Sequence, residues 1–369
     1  MSPRHQPNDA EQPTTGRPRP PVRPRPRRIA ALVGIAVAGI AAAFSAVWLL
    51  WPASTGPGPA GPYPSAGAPT TPAGTGPAST APTPIASAPA TPTVSASPGA
   101  AGKQPEPEPR PARRKCRGHP TPKCTGVPPG TRLVRLPLNL DGAAYRVTRP
   151  GTVLDGVHIP GDLLINADDV VIRNSRIEGS LSNEHKLRRY SFTITDSTVG
   201  PAKGCITAPG IGEARFTALR VHIRGHGDGF HASGDDITIK DSYVRLCSNP
   251  GDHSDGIQTY LTGKGLVFDH NTVDQRFAKD ITAPIFITDE QAEDVIVTRN
   301  LVMGGTYSIQ VKNVSGKAVV RDNRLVDGSW VYGPVEADCH NIDWSGNTLV
   351  RIDDDYRITR TVGPLPCAT

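Results

Sequence analysis

FTITDSTV at residues 192–199 and ITIKDSYV at residues 237–244 are two copies of one pattern: apolar, any, apolar, two more residues, Ser, any, apolar. The same form, with Ser or Asn at the polar position, recurs as VVIRNSRI ending at Ile177, LVFDHNTV at Val273, VIVTRNLV at Val302, VVRDNRL at Leu325 and IDWSGNTL at Leu349. FTALRVHI ending at Ile223 is a looser copy, and VLDGVHI ending at Ile159 another. The final residues stand 18, 22, 24, 21, 29, 29, 23 and 24 positions apart. Alternation at period two marks strands with one buried face. A recurrence every 20 to 30 residues or so marks stacked units rather than a closed globule. Leucine-rich repeats share the length but not the signature, and helical repeats do not fit the alternation. The chain is therefore expected to be all-β, a parallel β-helix of about nine coils with equivalent residues about 4.8 Å apart. The recurring polar residues, among them Asn271, Asn300, Asn323 and Asn347, are expected at bends, bonding backbone groups and serving structure.

These stretches, together with TGVPPGTRL and LLINADDVVIRNSRI, resemble the right-handed parallel β-helix proteins of the pectate-lyase-like superfamily, in particular exported bacterial members. The resemblance covers roughly residues 125–350. It implies a carbohydrate-active surface along one parallel sheet, since such proteins include pectate and alginate lyases, mannuronan epimerases and polygalacturonases. Fold alone does not carry activity. The Trp-x-Asp-His and Arg-x-Pro-x-x-Arg patterns of calcium pectate lyases are missing, as is the Asp-Pro-His-Glu-Gln of the epimerases. Gly225, His226 and Gly227 spell the GHG of polygalacturonases, but the Asp235–Asp236 pair follows where that family has it first, so the match reads as accidental.

Composition divides the remainder. Residues 1–28 hold seven arginines against two acids, and residues 29–51 contain no charge. Such a run is long enough to span a bilayer, and the positive flank places the N-terminus in the cytoplasm. A cleaved signal peptide is the competing reading. Residues 52–115 are rich in Pro, Ala, Thr and Ser and are expected to be a disordered stalk. Residues 116–150 would form an N-terminal cap, 151–350 the β-helix and 351–369 a C-terminal cap. The +6 net charge resides in the tail and linker, because residues 118–369 carry 27 bases against 30 acids; nucleic acid is therefore not an expected partner. All six cysteines follow residue 115, which on an exported domain reads as up to three disulfides. Cys116 with Cys124, and Cys339 with Cys367, are the expected neighbouring pairs. No CxxC spacing supports zinc.

The chemistry-bearing signal is a repeated hexapeptide, HGDGFH from His226 to His231 and HSDGIQ from His253 to Gln258, 27 residues apart. In the same phase of consecutive coils, His226 would stack near His253, Asp228 near Asp255, Phe230 on Ile257 and His231 beside Gln258. The apolar column is expected to continue through Ile206, Ile285 and Ile309, which places Thr207, His231, Gln258, Phe286 and Gln310 on the outer face. Amides and imidazoles match sugar hydroxyls and a ring can stack on a pyranose. Gln258, Phe286, Gln310 and His226 are thus the candidate substrate contacts. Asp228, Asp255, His253 and His231 are the candidate catalytic groups, as carboxylates of a glycosidase or bases of a lyase. Arg224, Lys264, Arg276 and Lys279 are bases near enough to meet a uronate. If a cation binds, Asp228, Asp252 and Asp255 offer oxygen ligands of the kind Ca²⁺ takes; no cofactor is otherwise implied. The adjacent Ser254, His253 and Asp255 point in divergent directions and form no triad. The structural alternative is that Asp-Gly is simply a turn dipeptide kept in two similar coils. The expectation is a membrane-anchored extracellular protein that processes a polysaccharide or cell-wall glycan as a lyase or hydrolase, or a non-catalytic glycan-binding or adhesin module on the same scaffold.

Overall fold

The computed structural model of this chain describes residues 116–260, 263–288 and 291–368. The expected basic tail, membrane span and stalk lie outside the described residues, among which no helix is long and apolar enough to cross a membrane. The described part is all-β, with a single short 3₁₀ turn at Cys339–Asn341.

The repeated pattern becomes a bent pair of strands in each of nine coils. Its first half builds a nine-stranded parallel sheet from Val153–Asp155 through Phe192–Thr195 and Ile237–Lys240 to Ile342–Ser345. Its second half builds an eleven-stranded second sheet, parallel except for its last strand. The chain then crosses to a third sheet before re-entering the first, and this fixed order of visits is what a parallel β-helix requires. Every final apolar residue of the repeat pairs with its counterpart one coil on, from Ile159 with Ile177 and Val199 through to Leu325 with Leu349. The eight from Ile159 to Leu325 are fully buried, each such side chain contributing about 1.5–3 kcal/mol.

The bend between the two halves explains the Ser and Asn positions. The residue just before each lies in the left-handed region: Asn174, Asp196, Asp241, His270, Arg299, Asp322 and Gly346, with φ between 48° and 66°. Arg220 occupies the equivalent place in the looser copy, at φ 55°. Left-handed backbone is unfavourable for most side chains, and here several are held by side-chain contacts. Arg220 grips Asp196 (2.6 Å), His270 meets Asp241 (2.6 Å) and Arg299 pairs with Asp269. Behind the bend runs a buried ladder in which the backbone N–H of Asn271 donates to Asn300 Oδ1 (2.8 Å), that of Asn300 to Asn323 Oδ1 (3.0 Å) and that of Asn323 to Asn347 Oδ1 (2.9 Å).

Three disulfides join Cys116 to Cys124, Cys205 to Cys247 and Cys339 to Cys367. The first and last are the expected neighbouring pairs. The second crosses between two excursions at the corner from the second to the third sheet. The register locates one of them: Ile223 to Val244 is 21 residues in the second sheet, yet Phe230 to Ile257 is 27 in the third. Six extra residues therefore lie between, at 248–253, where the chain leaves after Cys247 and returns at Ser254, whose Oγ bonds the Cys247 carbonyl at 2.9 Å.

Candidate functional site

The third sheet runs Ala144–Val147, Asp162–Ile165 and Leu181–Ser182, continues through Ile211, and resumes as Phe230–Ala232, Ile257–Thr259, Ile285–Ile287, Tyr307–Val311 and Gly333–Ala337. Its register sets Phe230, Ile257, Ile285 and Ile309 in one inner column and His231, Gln258, Phe286 and Gln310 in one outer column. One expectation needs correction at the column's start. Ile211 bridges Leu181 and Phe230, whereas Ile206 bridges His226. Residues between the second sheet and Ile211 form a corner excursion, so counting back 24 positions from Phe230 lands in the loop. Thr207 accordingly lies off the strip and donates its hydroxyl to Asp252 at 2.8 Å.

The outer column ends in an ion pair that its spacing did not announce. Glu336 stands opposite Gln310, accepts from Gln310 Nε2 at 2.6 Å and meets Lys312 Nζ at 2.5 Å. Gln310 is only 8% exposed and its carbonyl oxygen is buried without a partner. It is a bonded member of the sheet rather than an open amide, while His231, Gln258 and Phe286 remain half-exposed.

The two hexapeptides do not stack throughout. The carbonyl of His226 bonds the N–H of Cys247, so residues 248–253 push His253 out of phase. His226 is fully buried, its Nδ1 2.8 Å from the Ala208 carbonyl, and burial lowers its pKa. His253 is exposed at φ 52°. The pair thus comprises one core histidine and one loop histidine, and His226 cannot touch a ligand on the strip.

From Asp228 onward the copies do superpose. Asp228 Oδ1 accepts the N–H of Asp255 at 2.8 Å, and Asp255 Oδ1 accepts that of Ala283 at 2.9 Å. Each carboxyl group holds the backbone one coil further on. The glycines that follow have no room for a side chain: a Cβ on Gly229 would come 2.3 Å from the Gly256 carbonyl oxygen, and one on Gly256 would come 2.1 Å from that of Pro284. The repeated Asp-Gly is therefore explained first by stacking.

Two features exceed that explanation. His231 Nε2 lies 3.2 Å from the second oxygen of Asp228, which orients a half-exposed imidazole on the strip. Asp255 is 3% exposed, and burial, with the Asp228 charge adding to it, pushes its carboxyl up to about 8 against the pull of the Ala283 N–H. At neutral pH it keeps its proton. Asp252 turns instead to the Thr207 hydroxyl and the backbone N–H of Asn249, and among the described residues no group of three or more His, Cys, Asp or Glu side chains is placed to hold a metal ion. The Asp228, Asp252, Asp255 set is thus not assembled for Ca²⁺.

A second polar concentration, on the outer face of the second sheet, was signalled in sequence only by Arg224. It comprises His222, Arg224, Tyr243, Arg245 and Phe277 around a cavity of about 450 Å³. Beside it the Tyr356 hydroxyl donates to Asp274 at 2.8 Å and meets that of Tyr243 at 2.5 Å, and Arg276 pairs with the same Asp274. No protein-family model matches this chain, and no curated protein or solved structure matches it significantly.

Proposed function

We propose that this protein is an exported glycan-binding β-helix of the right-handed, pectate-lyase-like type, held at the membrane by residues 29–51 and contacting an extended polysaccharide along the outer face of the third sheet. The observation that carries this reading is the ladder of His231, Gln258 and Phe286, one coil apart in unbroken register. At about 4.8 Å per coil the ladder offers one contact per step to a linear polymer of pyranoses. An imidazole and an amide bond hydroxyls, and the Phe286 ring gives a sugar face something to stack on. Cell-wall and environmental polysaccharides are the partners this surface suits, and three disulfides suit an extracellular setting.

The test is titration of the full chain with a panel of neutral and acidic polysaccharides. One polymer should bind, and Phe286→Ala and Gln258→Ala should each weaken it by about tenfold, a loss of about 1.4 kcal/mol. Binding that is indifferent to both changes would defeat the proposal. Cleavage is a second reading, favoured by the His231–Asp228 contact, the acid–base couple of the strip. It predicts new sugar ends from the bound polymer, abolished in His231→Gln with affinity retained. Against it stands the use of both aspartates in holding backbone.

A further inference from the structure

The groove on the second sheet gathers positive charge that the fold does not neutralise. Arg224 and Arg245 are register partners on adjacent strands, about 4.8 Å apart along the axis, and Lys203 lines the same cavity. Among the described residues neither arginine has a carboxylate partner. Arg224 reaches only the Gly200 carbonyl, at 3.5 Å, and Glu178, whose charge it feels, lies 3.3 Å from His158. Asp274, opposite Arg245, has its oxygens engaged by Arg276 and Tyr356. Like charges placed side by side without a counter-ion are unfavourable. Burial and the neighbouring Arg176 lower the Arg224 pKa, and burial with Arg224 and Arg245 lowers that of His222 to about 4.

The groove is also built to hold its shape. The Arg245 guanidinium lies 3.9 Å from the Phe277 ring centroid, which stabilises the cation and leaves its N–H edges free. The Cys205–Cys247 disulfide fixes the loop that carries Lys203 to the end of the Arg245 strand.

We propose that this groove is an oxyanion site that takes a phosphate group, the Arg224 and Arg245 guanidiniums donating to different oxygens and the Lys203 ammonium supplying a third contact. A carboxylate is satisfied by one guanidinium fork, whereas a phosphate has oxygens enough for two and a charge that offsets both. The site lies on a different sheet from the glycan ladder and does not depend on it.

The experiment is calorimetric titration of the full-length chain with inorganic phosphate, glycerol phosphate and acetate at matched ionic strength, with the His222 ring resonance followed by NMR. Saturable phosphate binding is expected, weakened about tenfold by Arg245→Gln and by Arg224→Gln, unchanged in Gln258→Ala, and accompanied by a rise in the His222 pKa. Glycerol phosphate binding as well would identify an ester-bearing ligand, and binding of inorganic phosphate alone the free ion. Acetate binding equally well would overturn phosphate selectivity. Absence of saturation, or affinities that survive both arginine changes in variants with wild-type circular dichroism, would overturn the site.

Discussion

Asp255 shows how one buried carboxyl makes stability depend on pH. Unfolded, it ionises near its ordinary 3.8; folded, it holds its proton to about 8. Between those values the native state binds more protons than the unfolded one, so its contribution falls as pH rises through the interval. His119 and His222, held down to about 4 chiefly by burial, act in the opposite sense, and what they contribute is lost as pH falls from 6.5 toward 4. Above about pH 7.5, where unfolded histidine is already neutral, the Asp255 effect dominates. Melting temperature is expected to decline from about pH 7.5 to about pH 8.5 in the wild type and to stay nearly level in Asp255→Asn, whose amide oxygen still accepts the Ala283 N–H. A variant whose slope matches wild type would show that Asp255 is not the group responsible. Gly256 makes a steric prediction. A Cβ there meets Val273 Cγ1 at 2.3 Å as well as the Pro284 carbonyl, so Gly256→Ala should cost about 2–3 kcal/mol, read as a lowered denaturation midpoint. The Asp-Gly repeat was legible as letters, but the letters could not say that the aspartate serves the coil above it. Nor could they reveal the six residues that displace His253, because an interval of 27 hides an insertion as easily as it reports a coil.

At the bend, Ser in the early coils and Asn in the later ones satisfy backbone groups in different ways. Ser175 and Ser242 each accept a backbone N–H from the preceding coil and return their hydroxyl proton to a carbonyl of their own strand, at Arg173 and Lys240. Asn300 accepts from the Asn271 N–H and sends its amide back to the Phe268 carbonyl at 2.9 Å. Asn300→Ala removes the acceptor of the buried Asn271 N–H and a donor to the Phe268 carbonyl, an expected loss of about 1–3 kcal/mol. Asn300→Ser should recover part of it, since the hydroxyl restores the acceptor. Chemical denaturation of the three proteins checks the order, and a serine variant no better than alanine would refute it. This element was readable because its period was strict. Gln310 stands in its expected column yet is not open, because Glu336, one coil beyond the last residue expected in that column, binds its amide.

At the scale of the molecule, stability in a stacked architecture is a sum over neighbouring coils, and the ends decide solubility. The last strand, Ile358–Pro364, reverses direction and pairs antiparallel with Thr348–Ile352, ending the eleven-stranded sheet. The tail beyond it crosses the final coil, where Ala337 donates its N–H to the Ala368 carbonyl and the Trp344 indole donates to that of Leu365, both at 2.9 Å. The Cys339–Cys367 bond fastens that crossing. Truncation after Ile352 bares strand edges and should yield concentration-dependent oligomers in light scattering, while the intact chain stays at one mass. The reversed strand ends a stack in which each earlier coil receives a parallel neighbour. By facing the other way it breaks the parallel register at the terminus, so this sheet does not end on the surface that each coil offers to the next.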